Sequence, residues 1–100
     1  MFKPGDSVTV RDLPIEGHMR TPHYARGAHG VIERYCGSFQ NPEKLGHGIR
    51  PAPKVDLYRV RFFQRDLWPN YAGHGSDTVD VEIYAHWLKP HKDIEERPAP

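Results

Sequence analysis

One hundred residues contain a single cysteine, Cys36. A lone cysteine cannot close an internal disulfide, and without a Cys-x-x-Cys pair there is neither a thiol redox couple nor a cysteine-based metal site. Long apolar runs are missing too. None approaches a membrane span or the apolar stretch of a signal peptide, so a cytoplasmic location is expected, with no membrane partner. Charge of one sign is not in excess either: fourteen basic residues face thirteen acidic ones, a formal net charge of +1. A nucleic-acid footprint normally comes with a strongly basic balance, so nucleic acid is not expected among the partners. Amphipathic helical stretches longer than a turn or two are absent, which leaves helices no part as a layer of the fold.

What remains is the composition of a small globular domain, 37% hydrophobic and 27% charged with a strongly negative mean hydropathy. A domain of this length hides only about 60–65% of its unfolded surface, enough for one modest core. Ten prolines and nine glycines point to loops.

Four segments have the character of half-buried strands. Residues 6–11 put Val8 and Val10 on one face and Ser7, Thr9 and Arg11 on the other; residues 30–36 form a second strand. Residues 57–63 oppose Tyr58, Val60 and Phe62 to Arg59 and Arg61, and residues 78–83 oppose Val79, Val81 and Ile83 to Asp80 and Glu82. Each has one apolar side and no helix to cover it, so the sheet must curl on itself. The expected fold is mainly β, a small SH3-like barrel with long loops and one or two short helical turns, around Leu67 and Trp68 and within 84–88. Residues 1–90 form the barrel domain in this reading. From Lys89 onward, prolines among charges suggest a tail, and residues 91–100 are expected to be flexible or partner-bound. The connections 12–29 and 37–56 are too long for hairpin turns, and long connections in compact domains tend to be functional.

Seven histidines invite a metal reading, with His18, His23 and His29 in one connection. No pair has the i, i+4 spacing of a helical zinc site, so no metal is assigned to this chain. Nucleophilic catalysis has thin support: Cys36 lies in a predicted strand, and Ser7, Ser38 and Ser76 lack a Gly-x-Ser-x-Gly context. Asp80 and Glu82 share one strand face, the pattern of a solvated or interfacial surface. The arginines say more, nine against five lysines, with Arg20 and Arg26 in the first connection. A guanidinium donates two parallel hydrogen bonds to an oxyanion and keeps its charge when dehydrated. By chemistry alone, the ordinary reading of both is still that of solvated loop residues. Arg59 and Arg61, with Trp68 and Tyr71, leave open a module that binds single-stranded nucleic acid, against which the net charge argues.

The first connection reads Pro14-Ile15-Glu16-Gly17-His18-Met19-Arg20-Thr21-Pro22-His23-Tyr24-Ala25-Arg26-Gly27, entered from Gly5-Asp6 and leaving into Gly30-Val31. Its Gly-His-x-Arg and Pro-x-Tyr-x-Arg-Gly patterns resemble the C-terminal half of the nitrile hydratase β subunit. Gly46-His47-Gly48, Tyr58-Arg59-Val60-Arg61-Phe62 before Asp66-Leu67-Trp68, and Val79-Asp80-Val81 before Trp87-Leu88-Lys89-Pro90 extend the resemblance along nearly the whole chain.

The resemblance implies an accessory subunit of an enzyme, a lyase that hydrates a nitrile to an amide, packed on a separate α-type subunit. That partner would hold Co(III) or Fe(III) among cysteines, two of them oxidised. Arg20 would be the residue that reaches across to hydrogen-bond the oxidised sulfurs, with His18, Tyr24, Arg26 and His47 at the substrate or subunit interface. The helical N-terminal half of the family's β subunit has no counterpart here. It is expected on a third subunit, as in thiocyanate hydrolase and the three-subunit toyocamycin nitrile hydratase. A thiocyanate hydrolase subunit, or a maturation factor that escorts the α-type subunit during metal loading, are the alternatives.

Overall fold

A computed structural model of the chain describes residues 2–12, 23–68 and 70–91. Five strands, β1 (Ser7–Val10), β2 (His29–Gln40), β3 (Lys54–Phe63), β4 (Thr78–Tyr84) and β5 (Leu88–Pro90), form one antiparallel sheet in the order β4-β3-β2-β1-β5. A flat sheet of that width would hold its outer strands about 19 Å apart, at roughly 4.8 Å per strand. Yet the outer strands β4 and β5 are joined only by the 3-10 turn Ala85–Trp87, and such a turn rises about 2 Å per residue. The sheet therefore curls until its edges approach, giving the mainly β, SH3-like barrel that the one-sided strands predict.

The inward faces are the predicted ones. Val8, Val10, Tyr58, Val60 and Phe62 are each at most 1% exposed. Val81, Ile83, Trp87 and Leu88 complete the core with Ile32 and Leu67. The buried Tyr58 hydroxyl is not stranded: it accepts the Phe2 N–H at 3.2 Å, and the two rings meet edge-on. Where β2 crosses β3, the backbone of Gly30 lies directly on its neighbours. A Cβ there would stand 2.7 Å from Val60 Cγ1, 2.8 Å from Phe62 Cε1 and 2.9 Å from the Arg61 carbonyl oxygen.

On the outer face, register pairs Arg59 with Glu82 and Arg61 with Asp80. Arg61 reaches both Asp80 oxygens, at 2.8 and 3.0 Å, and Arg59 donates to Glu82 at 3.2 Å. The two arginines that a nucleic-acid reading would recruit are thus each matched to a carboxylate. The Arg61 fork, chiefly by hydrogen bonding, holds the Asp80 carboxyl below the usual carboxylate range.

Three element boundaries differ from expectation. β2 continues to Gln40 and β3 begins at Lys54, so both ends of the connection predicted over 37–56 are strand. Pairs from Gly37↔Leu57 to Gln40↔Lys54 extend the ladder past register shifts at Ile32/Arg34 and Tyr35/Gly37, which break the two-residue period. Within the remaining connection lies a short helix, α1 (Pro42–Gly46), whose first N–H groups at Glu43 and Lys44 donate to the Asn41 side chain. A second short helix, α2 (Gln64–Leu67), buries Leu67 where a helical turn was expected.

β5 is the third departure, because Lys89 and Pro90 pair with Thr9 and Val8. Proline is tolerated there since β5 is an edge strand. The chain stays attached one residue further. His91 N–H donates to Ser7 O, its Nδ1 meets Thr9 Oγ1 at 2.7 Å, and its ring stacks on His29 at 4.0 Å. The rest of the expected tail, residues 92–100, lies outside the described residues.

Candidate functional site

The first connection leaves the barrel and rejoins it at one place. On the way out, the Arg11 N–H donates to the Trp87 carbonyl at 2.8 Å. On return, the 3-10 turn His23–Ala25 drives Ala25 into the core, where it is fully buried. Gly27 N–H then donates to Val10 O at 2.8 Å, and Val10 N–H to Ala28 O at 2.9 Å. Gly27 has φ +77° with no heavy atom near a would-be Cβ. Its glycine is needed for backbone conformation rather than for space. His18 and Arg20 fall in residues 13–22, outside the described residues.

Tyr24 and Arg26 flank the buried Ala25. The Tyr24 ring, 41% exposed, packs on the exposed Trp68 ring with centroids 4.7 Å apart. The Arg26 guanidinium carbon stands 5.7 Å from the centre of the Trp87 ring, within range for attraction between a cation and an aromatic face.

Trp87 is 3% exposed, and its indole N–H donates to Glu43 Oε1 at 2.8 Å. The other Glu43 oxygen meets Nε2 of His86. Glu43 comes from α1 in the second connection, so Trp87 ties the two connections together. His47 closes the same helix, its N–H donating to the Glu43 and Lys44 carbonyls, and the residue is exposed.

Of the predicted site residues, then, Tyr24 and Arg26 sit at the foot of the first connection and His47 at the end of α1. Glu43 and the linking role of Trp87 were not foreseen. Asn41-Pro42-Glu43, a capping side chain followed by proline and an acid, was the available signal for α1.

The loop after α2 has a histidine and a serine that invite comparison with a relay, but its geometry is that of a brace. Tyr71 hydroxyl donates to Asp77 Oδ2 at 2.6 Å, a bond that raises the Tyr71 pKa. Asp77 takes the His74 backbone N–H, while Ser76 N–H and Oγ converge on His74 Nδ1. Asp77 therefore orients the backbone of His74 rather than its ring. Among the described residues, no group of three or more His, Cys, Asp or Glu side chains is placed to hold a metal ion. No described helix is long and apolar enough to cross a membrane.

Comparison with known proteins bears on this arrangement as a whole. The chain is 40% identical over 81 residues to nitrile hydratase subunit beta of Pseudomonas chlororaphis, covering 80% of this chain and 37% of that protein. It is 34% identical over 90 residues to thiocyanate hydrolase subunit alpha of Thiobacillus thioparus, covering 88% of this chain and 70% of that one. It therefore spans about two fifths of the β subunits it matches, 37% and 42% in two cases, and a larger share of the thiocyanate hydrolase subunit. A solved structure of thiocyanate hydrolase from Thiobacillus thioparus, a recombinant apo-enzyme, superposes with a TM-score of 0.82 at 34% identity, covering 90% of this chain and 75% of the other. The profile of the family described as "Nitrile hydratase beta subunit, C-terminal" matches residues 1–90, from the turn before β1 through β5, and the chain belongs to that family.

Proposed function

We propose that this chain is a cytoplasmic accessory subunit of a nitrile hydratase-type enzyme, with residues 1–90 as its interacting domain. It would pack on an α-type subunit and offer Arg20 to that subunit's oxidised cysteine ligands. The observation that carries the reading is the family match over residues 1–90, which takes in Gly17-His18-Met19-Arg20 and the Tyr24–Gly27 return.

The chemistry suits the residue type. Sulfenate and sulfinate oxygens are anionic and, at a subunit contact, largely dehydrated. A guanidinium fork neutralises them, fixes their orientation and needs no proton transfer to do so. No described cluster of this chain fits a metal; in this reading Co(III) or Fe(III) belongs to the partner and supplies Lewis acidity. Water adds across the carbon–nitrogen triple bond, its oxygen to carbon and its two hydrogens ending on nitrogen as an amide. His18, Tyr24, Arg26 and His47 are assigned to the substrate or subunit interface. The exposure of Tyr24 beside Trp68 supports that assignment, since aromatic side chains are enriched at such contacts. A third subunit would supply the counterpart of the family's helical half.

The similarity to thiocyanate hydrolase subunit alpha, in sequence and in fold, favours thiocyanate as the second reading of the substrate. Incubating the assembled enzyme with a nitrile and, separately, with thiocyanate, and following amide formation and thiocyanate loss, distinguishes the two. The role of Arg20 is tested by Arg20→Ala and Arg20→Lys in that complex. Both should lower kcat on the order of 100-fold, because lysine keeps the charge but lacks the fork. Full turnover in an intact complex overturns it.

A further inference from the structure

We infer that His74 is a proton-operated latch on the loop between α2 and β4: the neutral imidazole closes residues 74–77, and uptake of a proton releases the Ser76 backbone. The inference is independent of the role of Arg20.

The side chain that accepts an N–H from two residues further on is ordinarily that of Asn or Asp. Here it is a ring nitrogen. Ser76 N–H donates to His74 Nδ1 at 3.1 Å, and Ser76 Oγ meets the same nitrogen at 2.5 Å. A backbone N–H can only donate, so Nδ1 must hold a free lone pair and the neutral ring carries its proton on Nε2. That tautomer makes the turn sensitive to charge. An imidazolium bears a proton on both nitrogens, and one arriving on Nδ1 would face the Ser76 N–H donor to donor. The Ser76 hydroxyl can reverse and accept from the ring. The amide cannot, and must turn to water.

The other ties of the loop do not pass through the ring. His74 N–H donates to Asp77 Oδ2 at 3.1 Å, and Asp77 N–H to the His74 carbonyl at 3.0 Å. Tyr71 donates to Asp77 as well, and its raised pKa keeps the phenol a donor. Two charged groups flank the turn with opposite effect. The Asp77 carboxylate, in the loop itself, favours the imidazolium; Arg65 of α2, whose Nη1 would stand 3.5 Å from a Cβ at Gly75, opposes it. Residues 74–76 are exposed, so protons reach the ring directly, and none of these groups belongs to the core. Because the closed turn accepts on Nδ1, it favours the neutral ring. Its contribution is therefore complete above the pH range in which histidine titrates and is lost as pH falls through that range.

The test follows exchange of the Ser76 amide proton with water by NMR in the full chain, at about pH 8 and about pH 5, the limits of the ordinary histidine range. Comparing variants at the same pH removes the intrinsic dependence of exchange on hydroxide. At the higher pH, Ser76 should exchange about fivefold more slowly in the wild-type chain than in His74→Ala, the factor expected of one net hydrogen bond, and at the lower pH the two should match. His74→Asn offers an acceptor in place of Nδ1 that does not titrate, so it should keep the protection at both. Wild-type protection that is equal at the two pH values overturns the proposal, as does a wild-type chain that matches His74→Ala at both, or a loss of protection at low pH in His74→Asn. The amide of the fully buried Val60 reports on the barrel. If its protection falls in step with that of Ser76, the change is global and the latch is overturned too.

Discussion

Residues 12–29 and 37–56 look alike as sequence: both are rich in glycine, proline and polar residues, and both separate clear strands. They fold by different means. The second has the outer end of the β2–β3 hairpin at both its ends and a capped helix between them, so many of its backbone groups find partners within itself, from Ser38↔Asp56 to the Asn41 cap. The first is fastened at its ends. Val10 exchanges hydrogen bonds with Gly27 and Ala28, and Arg11 holds the Trp87 carbonyl. A connection that satisfies much of its own backbone leans less on the barrel than one pinned at its feet, and the second leans on it chiefly through Glu43. Trp87 couples the two through Arg26 and Glu43.

Perturbations at the feet and caps sharpen this contrast. The largest effect is expected at Gly30, where the first connection has just rejoined the sheet. Gly30→Val would force side-chain atoms into Val60, Phe62 and the Arg61 carbonyl, costing about 3 kcal/mol in urea unfolding. A variant of wild-type stability would mean that β2 and β3 are not so closely packed there.

Gly27→Ala and Gly48→Ala form a matched pair, one in each connection, at φ +77° and +82° with nothing near a Cβ. Each should lose about 1–2 kcal/mol through backbone strain alone, read as equal shifts in denaturation midpoint. A much larger loss at Gly27 would show that the return of the first connection is the more constrained. Asn41→Ala should cost about 1 kcal/mol by uncapping α1. If it costs nothing, the second connection does not depend on its helix.

The smallest effect lies on the outer face, away from both connections. The folded Asp80 pKa is depressed, chiefly by the Arg61 hydrogen bonds, so its stabilisation is present above the ordinary aspartate value of about 3.9 and is lost as pH falls through the lower folded value. Asp80→Asn should therefore flatten the acid limb of a stability–pH curve slightly. The effect is modest because both side chains are partly exposed.

The inward faces of β1, β3 and β4 were legible because a half-buried strand shows its packing as a two-residue period. Val8 with Val10, Tyr58 with Val60 and Phe62, and Val81 with Ile83 follow it without interruption. β2 was legible only as far as its bulges, since each register shift moves the following residues to the opposite face and erases the pattern beyond Tyr35. β5 escaped notice because three residues ending in proline carry no period, and only pairing with β1 makes them a strand.

At the candidate site, Tyr24 and Arg26 were picked out by residue type and motif. Glu43 has no sequence signature, because an acid in a five-residue helix reads as a solvated charge until Trp87 lies against it and half-buries it.

The sequence by itself determined which side of most strands faces inward and which residue types could meet an anion, because both are properties of a few adjacent residues. The tertiary structure alone decided that the two long connections meet at Trp87, since the indole contact joins residues 44 apart and exists only once the sheet has curled.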